Sequence, residues 1–335
     1  MKAAIVEKPG VLAVRDIPMP DFSEYEALCE LLYGATCTGT DLHIISGHAN
    51  WGFKLPAVLG HESVGRVIKV GKKVRNLKVG DVIAKVWTKP TADGKVGICY
   101  GGFAEFGVAC DFRVMEEAGL KFNRKRVEMH IPLPEGFDPK AATMIITWRE
   151  TLSYLSRMGD MKGKSVLVIG SGGNGLAFGV HAKNLGAGKV AMLGSSARKD
   201  IAVKAGFDLY FDYRQDALKT SGELFDYIID SVGKIGQMDK ALCVLKNGGV
   251  IGIYGLDDEG KVTINPVNAK GTFTVYNNGY DDSDMHGRVV EFVEQGKLDA
   301  RIWMDLDNPY PLNRIADAFE AVKNRKAVKS LIKLH

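Results

Sequence analysis

Apolar and polar positions follow two different rhythms along this chain, and the change comes near residue 140. Before it, short β-type runs at residues 11–17, 27–33, 63–70, 81–86 and 103–109 are separated by Gly and Pro. That pattern predicts a strongly curved, mostly antiparallel β domain. Residues 139–158 predict one long helix. Beyond it, apolar runs at 166–169, 190–193, 209–211, 227–230 and 250–254 alternate with helical stretches at 176–185, 197–205 and 238–245. Short, fully apolar strands separated by helices predict a parallel sheet covered on both faces, the doubly wound α/β plan. The tail reads helix, helix, strand at 288–295, 312–323 and 330–334. It is expected to return to the first domain, so that residues 1–140 and 287–335 form one domain and 141–286 the other.

Composition narrows the class. With 335 residues, 46% hydrophobic and 25% charged, the chain can bury two full cores. The net charge of +4 comes without a dense basic block interleaved with aromatics, which argues against a nucleic-acid partner. The five cysteines, Cys29, Cys37, Cys99, Cys110 and Cys243, are scattered and odd in number. They read as thiols of a reducing cytoplasm rather than a disulfide framework. Residues 1–8 are too short and too charged for a signal peptide and read as a first strand. No apolar stretch reaches the roughly 18 residues that a membrane span requires.

The most specific local pattern is a glycine-rich turn. Gly170, Gly172 and Gly175 satisfy G-x-G-x-x-G, with Gly173 and Asn174 between them, after an apolar strand and at the opening of a helix. Gly170 makes the turn, Gly172 lets the backbone approach a pyrophosphate, and Gly175 permits close packing of helix on strand. The helix N-terminus offers N–H groups to the phosphates. An acid about 20 residues on would hold the ribose 2′-hydroxyl of NAD. Here the next strand ends instead in Gly194, Ser195 and Ser196, followed by Arg198 and Lys199. Hydroxyls and cations suit a 2′-phosphate, so NADP(H) is preferred, with NAD(H) as the alternative. Ser231, after a strand in the sheet's second half, is placed near the ribose or nicotinamide.

A second cluster lies earlier. Cys37, in the run Thr36–His43, and the pair His61-Glu62, in the run Leu59–Gly65, supply a thiol, an imidazole and a carboxylate from two nearby loops. These are the ligand types of Zn²⁺.

Together these features resemble the medium-chain zinc-dependent alcohol and polyol dehydrogenases. The resemblance rests on Gly60-His61-Glu62, the glycine turn, Val79-Gly80-Asp81-Val82, Gly101-Gly102-Phe103-Ala104-Glu105, residues 225–230 and Leu245-Lys246-Asn247-Gly248-Gly249, in that order over nearly the whole chain. It implies a GroES-like catalytic domain and a Rossmann cofactor domain. It implies His61 as a zinc ligand, Glu62 as a near or alternate one, a Thr40 hydroxyl contacting the substrate oxygen, and His43 passing a proton toward solvent. The family's spacing places Thr38 at the cysteine position, and Cys37 reaches the metal only if the loop carries one extra residue. A thiolate is the better zinc ligand, which favours Cys37. For the third ligand, Glu150 resembles the Glu-Pro-Leu-Ser run of the polyol enzymes, whereas an ungapped comparison points to Ile146 and would leave no ligand there. The structural zinc of many relatives is not expected, because only Cys99 and Cys110 stand near its lobe.

Trp51, Phe53 and Trp148 adjoin the metal loops and suit either a substrate pocket or a core, while His48, His130, His181, His286 and His335 show no ligand spacing. The expected function is a cytoplasmic, zinc-dependent oxidoreductase moving hydride between NADP(H) and a secondary alcohol, polyol or sugar. Two other readings stand: a zinc-independent NADPH reductase of quinones or enones on the same fold, and a non-catalytic NADPH-binding protein. A homodimer or homotetramer is implied by the family, with residues 250–254 and 272–276 as edge strands through which the subunits would pair.

Overall fold

The computed structural model describes residues 1–48, 52–259 and 261–335; Trp51 lies outside them. The chain forms two compact units. The first comprises Met1–Ile146, His286–Glu291 and Asp299–His335; the second comprises Thr147–Met285 and Phe292–Leu298.

The first unit contains two sheets. One has the strand order Val11–Asp16, Lys2–Lys8, Ala57–Val58, Gly97–Ile98. The other runs Tyr310–Pro311, Leu331–Lys333, Glu26–Ala35, Glu62–Val70, Val82–Ala84, with Phe106–Cys110 also pairing with Glu26–Ala35. The alternating runs have become strands whose inward positions, among them Ile5, Leu31, Val67 and Ile83, are fully buried in one core. The long strand Glu26–Ala35 pairs antiparallel with Glu62–Val70, in a register that sets Ala35 opposite Glu62. The ends of those two strands therefore hold the segments carrying Cys37 and His61 side by side. The late strand Leu331–Lys333 pairs with the same end of Glu26–Ala35, Leu331 opposite Ala35.

The second unit has one six-stranded sheet, in the order Leu209–Asp212, Lys189–Gly194, Ser165–Ile169, Phe225–Asp230, Leu245–Ile253, Phe273–Tyr276. Every pairing is parallel. This is the doubly wound order 3-2-1-4-5-6, whose reversal beside the first strand forms the dinucleotide crevice. All five residues of Ser165–Ile169 are buried, as a central strand covered on both faces requires.

Three expectations are corrected. The stretch 139–158 is not one α-helix: a 3₁₀ turn at Ala141–Met144 precedes the helix Ile145–Met158, and the unit boundary falls inside that helix. The tail does not return entirely to the first unit. Phe292–Leu298 belongs to the second, where the Phe292 ring lies 6.5 Å from that of His181 and the Lys297 carbonyl accepts a hydrogen bond from Asn184. Residues 250–254 do not form an edge, because Leu245–Ile253 has a partner strand on each side. Phe273–Tyr276 ends the sheet, with Val275 45% exposed.

His181 sits on the helix Gly173–Asn184 with no exposed surface. Burial pushes its imidazole down to about 3, only partly opposed by the Trp148 backbone. The unfolded chain takes up this proton near pH 6.5 and the folded one does not, so stability falls as pH drops through that window. Urea unfolding is expected to show a loss of about 2 kcal/mol from this group between pH 6.5 and 5. A His181→Gln variant is expected to flatten that part of the profile; an unchanged profile would refute the assignment.

Candidate metal centre and cofactor loop

Cys37 lies just beyond the strand Glu26–Ala35 and is 7% exposed, whereas Thr38 is exposed. His61 and Glu62 are buried where the opposing strand begins. The Cys37, His61 and Glu62 ligand atoms all lie within 4.8 Å of one another. His61 Nε2 is 3.7 Å from Glu62 Oε1.

Two side chains not singled out from the sequence complete this site. Asp41, fully buried at the start of the helix Asp41–Ser46, places Oδ1 3.3 Å from His61 Nδ1 and accepts the Cys37 backbone N–H at Oδ2, 2.9 Å away. A carboxylate on Nδ1 favours the tautomer with Nδ1–H, leaving Nε2 as the ligand atom. Burial alone would lower the pKa of His61, but the charge and hydrogen bond of Asp41, together with Cys37, hold it well above the ordinary value. Lys329, 2% exposed, donates to both oxygens of Glu62, reaching Oε1 at 2.6 Å, and to the Thr36 carbonyl at 3.2 Å. Burial works against its charge, but the combined pull of Glu62, Cys37 and Asp41 raises its pKa and keeps the ammonium protonated.

The donor set fits a zinc ion: thiol, imidazole and carboxylate converge in a buried site, and the imidazole already has its outer partner. Glu62 differs from the other two donors in being held by a cation. Glu150 belongs to the second unit, where it accepts a hydrogen bond from the Tyr254 hydroxyl at 3.1 Å. Ile146 is fully buried and offers no donor atom.

Thr40 is the N-cap of the helix Asp41–Ser46 and makes no side-chain cap bond; His43 lies half-buried on that helix, its ring 5.4 Å from His48. Phe53 lines a cavity of about 310 Å³ that includes His61. Trp148 is wholly buried in the second unit and is a core residue. A larger cleft of about 880 Å³ bordered by residues 75–82 and 132–139 contains none of the metal-site groups. Cys29, Cys99 and Cys110 are buried free thiols, each pushed up to about 12 chiefly by burial, and so are poor nucleophiles.

In the second unit the glycine turn has the geometry its motif requires. Gly170 adopts φ +107°, and a Cβ there would stand 2.5 Å from Ser231 Oγ. A Cβ on Gly175 would collide with the Gly170 carbonyl. One on Gly172 would meet nothing within 4 Å, so open space lies over the helix start. Gly172 caps the helix Gly173–Asn184 without a side-chain cap, and Gly173 and Asn174 form its first turn. Ser231 anchors the neighbouring strand end, its hydroxyl donating to the Ile169 carbonyl at 2.7 Å. At the end of the next strand, Gly194 packs against Ser171, whose hydroxyl accepts the Ser195 N–H at 3.3 Å. Ser196 and Lys199 are exposed, while Arg198 is 7% exposed. Asp212, paired opposite Gly194, is an acid near Ser196 that spacing along the chain does not disclose.

Comparison with known proteins agrees with both halves. Residues 24–120 match the alcohol dehydrogenase GroES-like domain, and residues 173–295 match the zinc-binding dehydrogenase domain. The chain belongs to the medium-chain dehydrogenase/reductase family. It is 29% identical to an NADPH-dependent alkenal/one oxidoreductase of Arabidopsis thaliana, over 83% of this chain and only 64% of that one. It is 26% identical to the L-galactonate-5-dehydrogenase of Escherichia coli, over 99% of this chain and 98% of that one. A Sinorhizobium meliloti protein crystallised with NADP shares the fold, with a TM-score of 0.78 at 20% identity over 99% of this chain and 98% of that one. The chain is an oxidoreductase of the zinc-binding dehydrogenase family. Among the described residues, no helix is long and apolar enough to cross a membrane.

Proposed function

We propose that this chain is a zinc-dependent dehydrogenase that oxidises a secondary alcohol of a polyol or sugar, or reduces the matching ketone, with NADP(H). The convergence of Cys37, His61 and Glu62 carries this reading. A zinc ion there would supply Lewis acidity at a substrate oxygen, and the dinucleotide would exchange the hydride. The protein's own part is orientation and proton handling. Asp41 holds the imidazole of His61 in one tautomer. Lys329 neutralises Glu62, so that the site need not hold two uncompensated anions. Thr40 is assigned to contact the substrate oxygen and His43 to carry its proton toward solvent.

The preference for NADP rests on Ser195, Ser196, Arg198 and Lys199, a segment without an acid; Asp212 near Ser196 is the feature that opposes it. The Arabidopsis relative supports a second reading, a metal-free NADPH reductase of enones. Metal analysis combined with cofactor binding separates them. The expected result is about one zinc per chain and NADPH bound at least about tenfold more tightly than NADH, the worth of one charge-assisted contact. Metal-free protein that still reduces enones supports the second reading, and tighter NADH binding removes the NADP preference.

A further inference from the structure

We propose that the substrate carries an anionic group, carboxylate or phosphate, seated by Lys85, Lys125 and Arg126 at the mouth of the cavity beside His61. The proposal rests on the dehydrogenase reading for what happens at the other end of the molecule. The cavity, of about 310 Å³, lies within the first unit and is lined by His61, Ser63, Phe53, Tyr100 and Trp87. The three cations and Asn123 also line it, and among the described lining residues there is no acid. Its volume is at the small end for a ligand site and suits a polyol-sized molecule.

The cations are placed there by the fold. Lys85 has a left-handed backbone, φ +64°, a conformation that costs a non-glycine residue energy and persists only where neighbours hold it. Its neighbours do hold it. Its N–H donates to the Ser63 carbonyl at 2.6 Å, and its own carbonyl lies 3.2 Å from His130 Nε2. His130 Nδ1 accepts the Cys110 N–H at 2.9 Å, so Nε2 carries the proton donated to Lys85. The Arg126 guanidinium sits 5.0 Å from the centre of the Trp87 ring, and that ring packs against His130, centroids 4.4 Å apart and planes tilted by 36°. The imidazole thus fixes both Lys85 and the platform under Arg126. The adjacent acids are already engaged: Arg124 pairs with Glu116, and with Glu128 at 2.9 Å. Among the described residues, the cavity lining carries no acid to offset Lys125 and Arg126. A candidate metal ligand, His61, and three cations on the lining of one cavity suit a molecule that carries both a hydroxyl and an anion.

The test compares D-gluconate, sorbitol 6-phosphate and neutral sorbitol, for the wild type and a Lys125→Gln/Arg126→Gln variant whose changes fall on exposed side chains. One anion is expected to exceed sorbitol in kcat/KM by about 100-fold, carried mainly in KM, and that ratio is expected to collapse in the variant. Which anion wins distinguishes carboxylate from phosphate. Equal or better use of sorbitol by the wild type overturns the anion site and leaves the dehydrogenase reading intact. If none of the three is oxidised, calorimetric binding of either anion, lost in the variant, upholds the site while the dehydrogenase reading falls; no binding overturns it. A variant that weakens NADPH but not anion binding assigns these cations to the cofactor and overturns the proposal.

Discussion

Replacing Cys37 by Ser, or His61 by Ala, is expected to remove bound zinc and to lower kcat/KM for alcohol oxidation by about a thousandfold. That factor corresponds to the several kcal/mol that a Lewis acid contributes at a developing alkoxide. The two variants differ in spectrum. In cobalt-substituted protein, the sulfur-to-metal charge-transfer band should vanish with Cys37→Ser and survive, weakened, in any His61→Ala protein that still takes up metal. Thr38→Ala is the decisive control, because that side chain is exposed while the Cys37 thiol is buried among the other donors. Zinc and activity surviving Cys37→Ser but lost on Thr38→Ala would reverse the choice between the two residues.

Lys329→Met should have the largest effect on stability. It removes the ammonium that donates to both oxygens of the Glu62 carboxylate, itself 1% exposed, and leaves only the His61 ring at 3.7 Å on that side. Breaking a buried pair from one side costs about 3–5 kcal/mol, because the remaining charge is uncompensated. Urea unfolding of metal-free protein should show that loss. Adding Glu62→Gln should recover much of it, since a neutral amide has no charge to bury. A Lys329→Met protein within about 0.5 kcal/mol of wild type, the range of an ordinary surface substitution, would show that the pair contributes little.

What could be read from the chain follows the range of the interactions. The glycine turn was legible because strand, turn and helix are contiguous and each glycine answers a local steric demand. Cys37 and His61-Glu62 were legible because the side chains announce their chemistry. Asp41 stood within the same run as Cys37 but went unassigned, because its role depends on a histidine 20 residues away. Lys329 is one of several lysines near the end of the chain, and nothing local distinguishes it. Its partner is 267 residues distant. Residues 250–254 were misplaced at an edge because apolar content reports burial and not the order in which crossovers lay strands down. Helix ends were misjudged where 3₁₀ turns, as at Ala141–Met144, continue the apolar pattern without the α-helical bond.

The distance between Glu62 and Lys329 also bears on how the molecule assembles. Nearly all of the second unit is contiguous in sequence, so it can condense from local βα contacts as soon as its strands exist. The first unit cannot complete the cluster of Cys37, His61, Glu62 and Lys329 in that way. The strand Leu331–Lys333 must find Glu26–Ala35 across the whole inserted unit, a loop whose closure entropy is lost before any contact repays it. Folding of the first unit should therefore be the slow step, with the Glu62 carboxylate lacking its Lys329 partner until the last strand docks.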